Sequence, residues 1–307
     1  MNRARDALTW LPSESGGPAW FPRVDRFRID DVEFHCSFEQ GSEPNLFYIR
    51  KHRPLVEDYL AVFNRFQAAN VVELGIMEGG SVALAALAAR PRKMVAFELE
   101  PERVEALDAL IAGHRLDQTV RPYYGVDQSD RGRLGAIAAD EFGDEELDLV
   151  IDDASHRLEP TRTSFETLFP RLRDGGLYLI EDWKWQIRIA AAVAKGLRDP
   201  DSRAKAKLGR RLRRTSRQST ARDDPERDAK RREPPLPALV FELVLAKAES
   251  DEFVSEVTVG RWWVGVRRGS GELDPEKFRL ADLYTDRLGL LPSINKGTEG
   301  GPDRVWD

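Results

Sequence analysis

Apolar positions follow three different rhythms along this chain. From Phe27 to Phe38 they fall at near-alternate positions on either side of Asp30 and Asp31, which predicts a small hairpin or edge strand. From Pro54 to Phe66, the residues Leu55, Val56, Tyr59, Leu60, Phe63 and Phe66 recur at helical spacing, and Pro54 suits a first helical turn. Short, almost wholly apolar runs then alternate with helical segments. Strands are predicted over 71–75, 93–98, 119–124, 147–152 and 177–181. Helices are predicted over 80–89, 101–112 and 160–172, with a turn at Asp174, Gly175 and Gly176. Residues 1 to about 24 carry Pro, Gly and Ser among scattered aromatics and read as an irregular arm.

Strands buried on both faces and separated by helices predict an α/β fold with a doubly wound, mostly parallel sheet. Near the end, 253–259 and 262–266 are close enough to pair as antiparallel strands. The organisation expected is an N-terminal arm and small β element over 1–52, a core over 53–194, a basic insertion over 195–237, and strands completing the core with a frayed tail over 238–307. In the insertion Lys205, Lys207, Arg210, Arg211, Arg213 and Arg214 could meet a phosphate-rich partner, cover an acceptor site, or simply be solvated.

Composition narrows the function classes. The 307 residues are 41% hydrophobic, which allows a sizeable core, and the net charge of −6 disfavours a general nucleic-acid binder. Cys36 is the only cysteine, so there is neither an intrachain disulfide nor a thiolate zinc cluster, and a reducing cytoplasm is the expected location. No apolar stretch approaches membrane length, and the charged N-terminus has no apolar region behind it, so neither membrane insertion nor a signal peptide is expected.

Two of the apolar runs end in acids. Leu147-Asp-Leu-Val-Ile-Asp-Asp-Ala-Ser-His156 delivers Asp152, Asp153 and His156, and Leu177-Tyr-Leu-Ile-Glu-Asp182 delivers Glu181 and Asp182. Carboxylates at the end of buried strands are costly unless paired or metal-bound. The carboxyl edge of such a sheet is where ligands bind, so the pairing suggests a hard-cation site with a base beside it. The acids could instead cap the helices that follow the strands.

A second constellation lies upstream. Glu73-Leu-Gly-Ile-Met-Glu-Gly-Gly-Ser81 closes a strand and opens a helix, where glycines let a ligand approach the backbone and the helix presents free N–H groups. Its spacing is not G-x-G-x-x-G, which weakens a dinucleotide reading. Glu98 ends the next strand, where a carboxylate can take both ribose hydroxyls, and Asp127-Gln128-Ser129 forms the loop after the third. Together they point to a nucleoside-type cofactor.

These residues resemble class I S-adenosylmethionine-dependent methyltransferases. The resemblance implies a Rossmann-like sheet, with the turn of Glu73, Gly75, Gly79, Gly80 and Ser81 around the methionine end of the cofactor. It places Glu98 on ribose and Asp127 with Gln128 at adenine, and Asp152 as a cofactor-side or supporting residue. More narrowly, Ile-Asp-Asp-Ala-Ser-His followed by Ile-Glu-Asp resembles the metal-dependent O-methyltransferases that tailor sugars of bacterial natural products, a group that includes macrolide sugar methyltransferases and stands close to cephalosporin hydroxylase-like proteins. The likeness covers about residues 45–195 and returns in the last strands. It implies Mg²⁺ on Asp153, Glu181 and Asp182, His156 as general base, and a hydroxylated, glycosylated small molecule as acceptor. Trp183 and Trp185 could wall the acceptor pocket or pack the next helix, the pocket being the favoured reading for Trp183. Tyr48 is a candidate cofactor cover and Arg50 a solvated position. Trp262 and Trp263 are read as packing residues, and His35, His52 and His114 as structural or exposed. Nothing in residues 1–24 fixes an interface, so a homo-oligomer stays open. The rivals are a non-catalytic pseudo-methyltransferase and a NAD(P)-linked oxidoreductase.

Overall fold

A computed structural model describes residues 7–15, 23–37, 41–66, 69–185, 187 and 234–286. The basic insertion, except for residues 234–237, and the C-terminal tail lie outside the described residues.

Seven strands form the main sheet: β5 (Asn70–Leu74), β6 (Lys93–Phe97), β7 (Val120–Tyr123), β8 (Leu147–Asp152), β9 (Leu172–Glu181), β10 (Val254–Val259) and β11 (Trp263–Arg268). Their spatial order is β10-β11-β9-β8-β5-β6-β7. The run from β7 to β9 is parallel, and β11 joins it antiparallel, Glu181 opposite Trp263, with β10 antiparallel outside it. Both the parallel core and the terminal antiparallel pair are as expected.

Alternation along each strand divides the core into two layers. Val71, Leu149, Ile151, Leu177 and Leu179 face helices α1 (Arg53–Phe66), α2 (Gly80–Ala88) and α3 (Glu105–Gly113). Val72, Leu74, Val150, Tyr178 and Ile180 face α4 (Arg131–Phe142), α5 (Leu158–Leu168) and α6 (Pro237–Glu249). With both faces covered, these strands read as continuous apolar runs. The helix α1 shows its periodicity because only one side is buried, whereas α2 is buried at all but one of its positions and shows none.

The N-terminal residues form a second sheet on the first layer. Its strands are β1 (Leu8–Ser15), β2 (Arg23–Ile29), β3 (Val32–Cys36) and β4 (Leu46–Ile49), in sequence order. The expected hairpin is β2–β3, turning at Asp30, whose φ of +50° a short polar side chain tolerates. Phe27 stacks on Phe34, and Phe34 on Phe47, in the same core as α1 to α3. The irregular arm is corrected here: residues 8–15 are an edge strand. Pro12 falls where its register shifts, between Leu11 and Glu14, and this interrupts the alternation that would have marked it.

Three further boundaries move. The second predicted helix starts at Glu105 rather than 101. The helix predicted over 160–172 spans 158–168 and ends in a short 3₁₀ turn. The turn at 174–176 lies inside β9, where Gly175 has φ +71°. Helices α4 and α6 were not foreseen.

Candidate active site

The strand order reverses between β5 and β8, and the crevice outside their carboxyl ends is the expected ligand position in such a sheet. Gly75 follows β5 with φ +98°, and a methyl group added there would sit 2.5 Å from the Asp153 carbonyl oxygen. Its amide donates to Phe97 O (2.8 Å), and the Asp153 amide donates to Leu74 O (3.0 Å), so the ends of β5, β6 and β8 are held together. The crevice opens into a cavity of about 1180 Å³. That is room for a nucleoside-sized molecule and an acceptor together.

One side carries the nucleoside features. Glu98 lines the cavity; its Oε2 accepts from the Ile76 and Met77 amides (2.9 and 2.7 Å) and its Oε1 from those of Leu99 and Glu100 (2.8 and 3.1 Å). This carboxylate therefore fixes the glycine turn as well as facing the ligand space. Asp127 lines the wall and accepts from the Ser129 amide and hydroxyl. Gln128 lines it too, but its side chain is committed: Nε2 donates to Asp152 and Ser164, and Oε1 accepts from the Ser155 amide (2.8 Å).

The other side carries the acids. Asp153, His156, Glu181 and Asp182 all line the cavity, as does Gly75. The His156 Nε2 lies 3.9 Å from Asp153 Oδ1. Three of the six non-glycine residues with positive φ among the described residues, Met77, His156 and Asp182, line the cavity. Such backbone is concentrated where function over-determines geometry.

Between Asp153 and Glu181 lies a cation, and it is Lys51. Its ammonium donates to Asp153 Oδ2 (2.8 Å) and Glu181 Oε1 (2.6 Å), and the Tyr59 hydroxyl donates to the same Glu181 oxygen. Lys51 is 3% exposed and Glu181 4%. Burial works against the ammonium, but the two carboxylates outweigh it and raise its pKa above the ordinary lysine value. Burial raises the Glu181 pKa, with Lys51 pulling the other way.

This arrangement tests the expected metal set. Two hard oxygen donors converge on one positive charge, which is the chemistry Mg²⁺ requires. Among the described residues, however, no three acidic, histidine or cysteine side chains form a ready metal cage. Asp153 and Glu181 fit as a pair. Asp182 lines the same cavity, and Lys51 stands between the other two carboxylates.

Five predicted cofactor residues do not line the cavity wall. Asp152 is 2% exposed and accepts from Ser164, Tyr178 and Gln128, so it braces the β8 end; burial raises its pKa. Glu73 is fully buried. Burial pushes its pKa up to about 7, with the Ser81 side chain and the Lys51 charge pulling partly back, and neither of its oxygens has a partner in good hydrogen-bond geometry. Gly79 and Gly80 serve packing: a methyl on Gly80 would lie 2.4 Å from Tyr48 O, and one on Gly79 3.1 Å from Leu107 Cβ. Ser81 belongs to the first turn of α2, beside Glu73.

The aromatic expectations also change. Trp185 lines the cavity, whereas Trp183 donates from its indole to Gly260 O (3.1 Å) and packs on the second core layer. Trp262 and His52 line the cavity with their rings 5.1 Å apart, and Arg50 lines it too. Sequence reasoning missed Lys51 altogether and read Tyr59 only as an apolar position of the helix. Lys51 stands alone in a basic connector, with no motif to mark it.

Comparison with known proteins bears on the whole arrangement. A family model described as a methyltransferase domain matches residues 72–183, the stretch from β5 to the end of β9 and its acids. Over 79 residues the chain is 46% identical to demethylmacrocin O-methyltransferase of Streptomyces fradiae, covering 26% of this chain and 19% of that protein. Over 135 residues it is 36% identical to the 8-demethyl-8-(2-methoxy-alpha-L-rhamnosyl)-tetracenomycin-C 3'-O-methyltransferase of Streptomyces olivaceus, covering 42% and 31%. The matched stretches thus span less than a third of either relative. Among solved structures, the MycE methyltransferase of the mycinamycin biosynthetic pathway, in complex with Mg, SAH and mycinamycin VI, is 23% identical with a TM-score of 0.44, covering 71% of this chain and 51% of that one. Among the described residues, no helix is long and apolar enough to cross a membrane.

Proposed function

We propose that this protein is an S-adenosylmethionine-dependent O-methyltransferase that acts on a hydroxyl group of a glycosylated small molecule, with Mg²⁺ held at Asp153, Glu181 and Asp182. The observation that carries the reading is the single cavity shared by Glu98 and Asp127 on one side and by Asp153, His156, Glu181 and Asp182 on the other. A nucleoside-binding end and an acid–base end open on the same space, within a methyltransferase domain. The acceptor class rests on the relatives, one of which is named for 3'-O-methylation of a rhamnosyl tetracenomycin-C.

When bound, S-adenosylmethionine supplies an electrophilic methyl group, and Mg²⁺ supplies positive charge beside the acceptor oxygen. Glu98 orients the ribose hydroxyls while holding the turn at Ile76 and Met77. Gly75 lets the ends of β5 and β8 close together beside the cofactor space, since any side chain there would meet Asp153. His156 accepts the acceptor's hydroxyl proton on an imidazole nitrogen; its Nε2 stands 3.9 Å from Asp153 Oδ1. Trp185 and Trp262 offer apolar faces against which a sugar ring can pack.

Calorimetric titration with S-adenosylhomocysteine, in Mg²⁺ and again in chelator, tests the cofactor assignment. Binding in either condition supports it, and no binding in both removes it. Methyl transfer to glycosylated acceptors that disappears in chelator and returns with Mg²⁺ tests the metal.

A further inference from the structure

Lys51 has no role in the reaction as described, yet it sits where the metal's charge is needed. It leaves the small N-terminal sheet just after β4 and crosses to the carboxyl edge of the main sheet before α1 begins. Its ammonium is 2.8 Å from Asp153 Oδ2 and 2.6 Å from Glu181 Oε1, and lies 4.9 Å from the Tyr59 ring centroid. A buried ammonium is tolerable only with such partners, and the carboxylates need it equally, since two uncompensated acids at this spacing repel.

Resting on the metal reading above, we propose that Lys51 is an internal competitor of Mg²⁺: it gathers Asp153 and Glu181 in the metal-free chain and is expelled from between them when the metal binds. The same two oxygens cannot serve both cations at full strength. A divalent ion entering between them takes the electron pairs now facing the ammonium, and leaves a buried lysine without its counter-charges. Both carboxylate partners of Lys51, Asp153 and Glu181, line the cavity, as do its chain neighbours Arg50 and His52, so the ion pair stands at the cavity's edge. Metal loading is then linked to a rearrangement of the connector between the N-terminal sheet and α1, the segment that walls the acceptor end. This linkage makes Mg²⁺ affinity weaker than the carboxylates alone would give.

The test measures Mg²⁺ binding by calorimetry on the full chain and on Lys51→Met, without acceptor, together with S-adenosylhomocysteine binding to both. Competition predicts that Lys51→Met binds Mg²⁺ about tenfold more tightly or better. A merely structural lysine predicts the opposite sign, because its loss would loosen the carboxylates. A second arm uses the unaltered chain and decides the matter if Lys51→Met does not fold: an amine-reactive ester, read by mass spectrometry, should modify Lys51 slowly in chelator and several-fold faster in saturating Mg²⁺. Equal or weaker Mg²⁺ binding by the variant, or protection of Lys51 at saturating Mg²⁺, overturns the proposal and leaves the methyltransferase reading standing. Absence of Mg²⁺ binding to either protein, with S-adenosylhomocysteine still bound, overturns it along with the metal assignment alone.

Discussion

Gly75 and Asp153 touch through backbone alone: a methyl group on the first would stand 2.5 Å from the carbonyl oxygen of the second. With φ at +98°, the position also disfavours any L side chain. Gly75→Ala should therefore push the β8 end, and with it Asp153 and His156, away from the cofactor crevice. The expected result is a loss of roughly 2 kcal/mol or more in urea unfolding, accompanied by weaker S-adenosylhomocysteine binding. Gly113→Ala, in α3 with nothing within 4 Å of the new methyl, is the control and should leave both unchanged or slightly improve stability.

His156→Ala should separate chemistry from binding. The side chain is placed to take a proton and makes no part of the Glu98 end. Turnover should fall by roughly 10²-fold or more, within the usual range for a general base, with S-adenosylhomocysteine affinity nearly intact by calorimetry. Unchanged turnover would take His156 out of the mechanism.

Removing Glu181 should hurt the metal-free fold. The variant Glu181→Ala strips Lys51 and Tyr59 of a shared buried acceptor and leaves Lys51 with Asp153 alone. Breaking one side of a buried pair costs about 3–5 kcal/mol. Chemical denaturation in chelator should show a loss of that order, and a change within 1 kcal/mol would mean that the pair contributes little.

Glu73 sets a pH dependence of stability. Its folded pKa of about 7 lies above its ordinary value of 4.5 because of burial. At low pH the folded and unfolded chains both hold the proton. As pH rises past 4.5 the unfolded chain releases it first, so folding is increasingly penalised until about pH 7, and the penalty is constant above. Its size is on the order of 3 kcal/mol. Glu73→Gln carries no such titration, so its melting temperature relative to the unaltered chain should climb between pH 4.5 and 7 and level off beyond. A difference flat across that range would show that Glu73 is not a buried acid of raised pKa.

The parts legible in the sequence were those governed by local rules. Continuous apolar runs marked β5 to β9 because helices cover both faces, and acids closing such runs marked Asp153, Glu181 and Asp182 on one edge. The pattern gave less where burial erased it. Helix α6 is apolar on most sides, and α4 buries only Leu134, Ala138 and Phe142 along its hydrophobic face, so neither announced a period. Burial of individual acids was also unreadable: Glu73 and Asp152 look like ligand residues by position, yet both are enclosed, one without partners in good geometry and one braced by Ser164, Tyr178 and Gln128. Lys51 was invisible for a different reason. Its partners are more than a hundred residues away, at Asp153 and Glu181, and no local rule reports a contact of that range.

The pairing of β11 with β9 has a consequence for how the chain is made. Residues 182–262 separate Glu181 from Trp263, its register partner. During synthesis the strands that carry the glycine turn, Glu98 and Asp153 can assemble by short crossovers, while β9 waits as an open sheet margin. The acid-bearing strand is thus the last of the parallel set to gain both neighbours, and until β11 arrives it is an open edge at which a growing chain can pair with another.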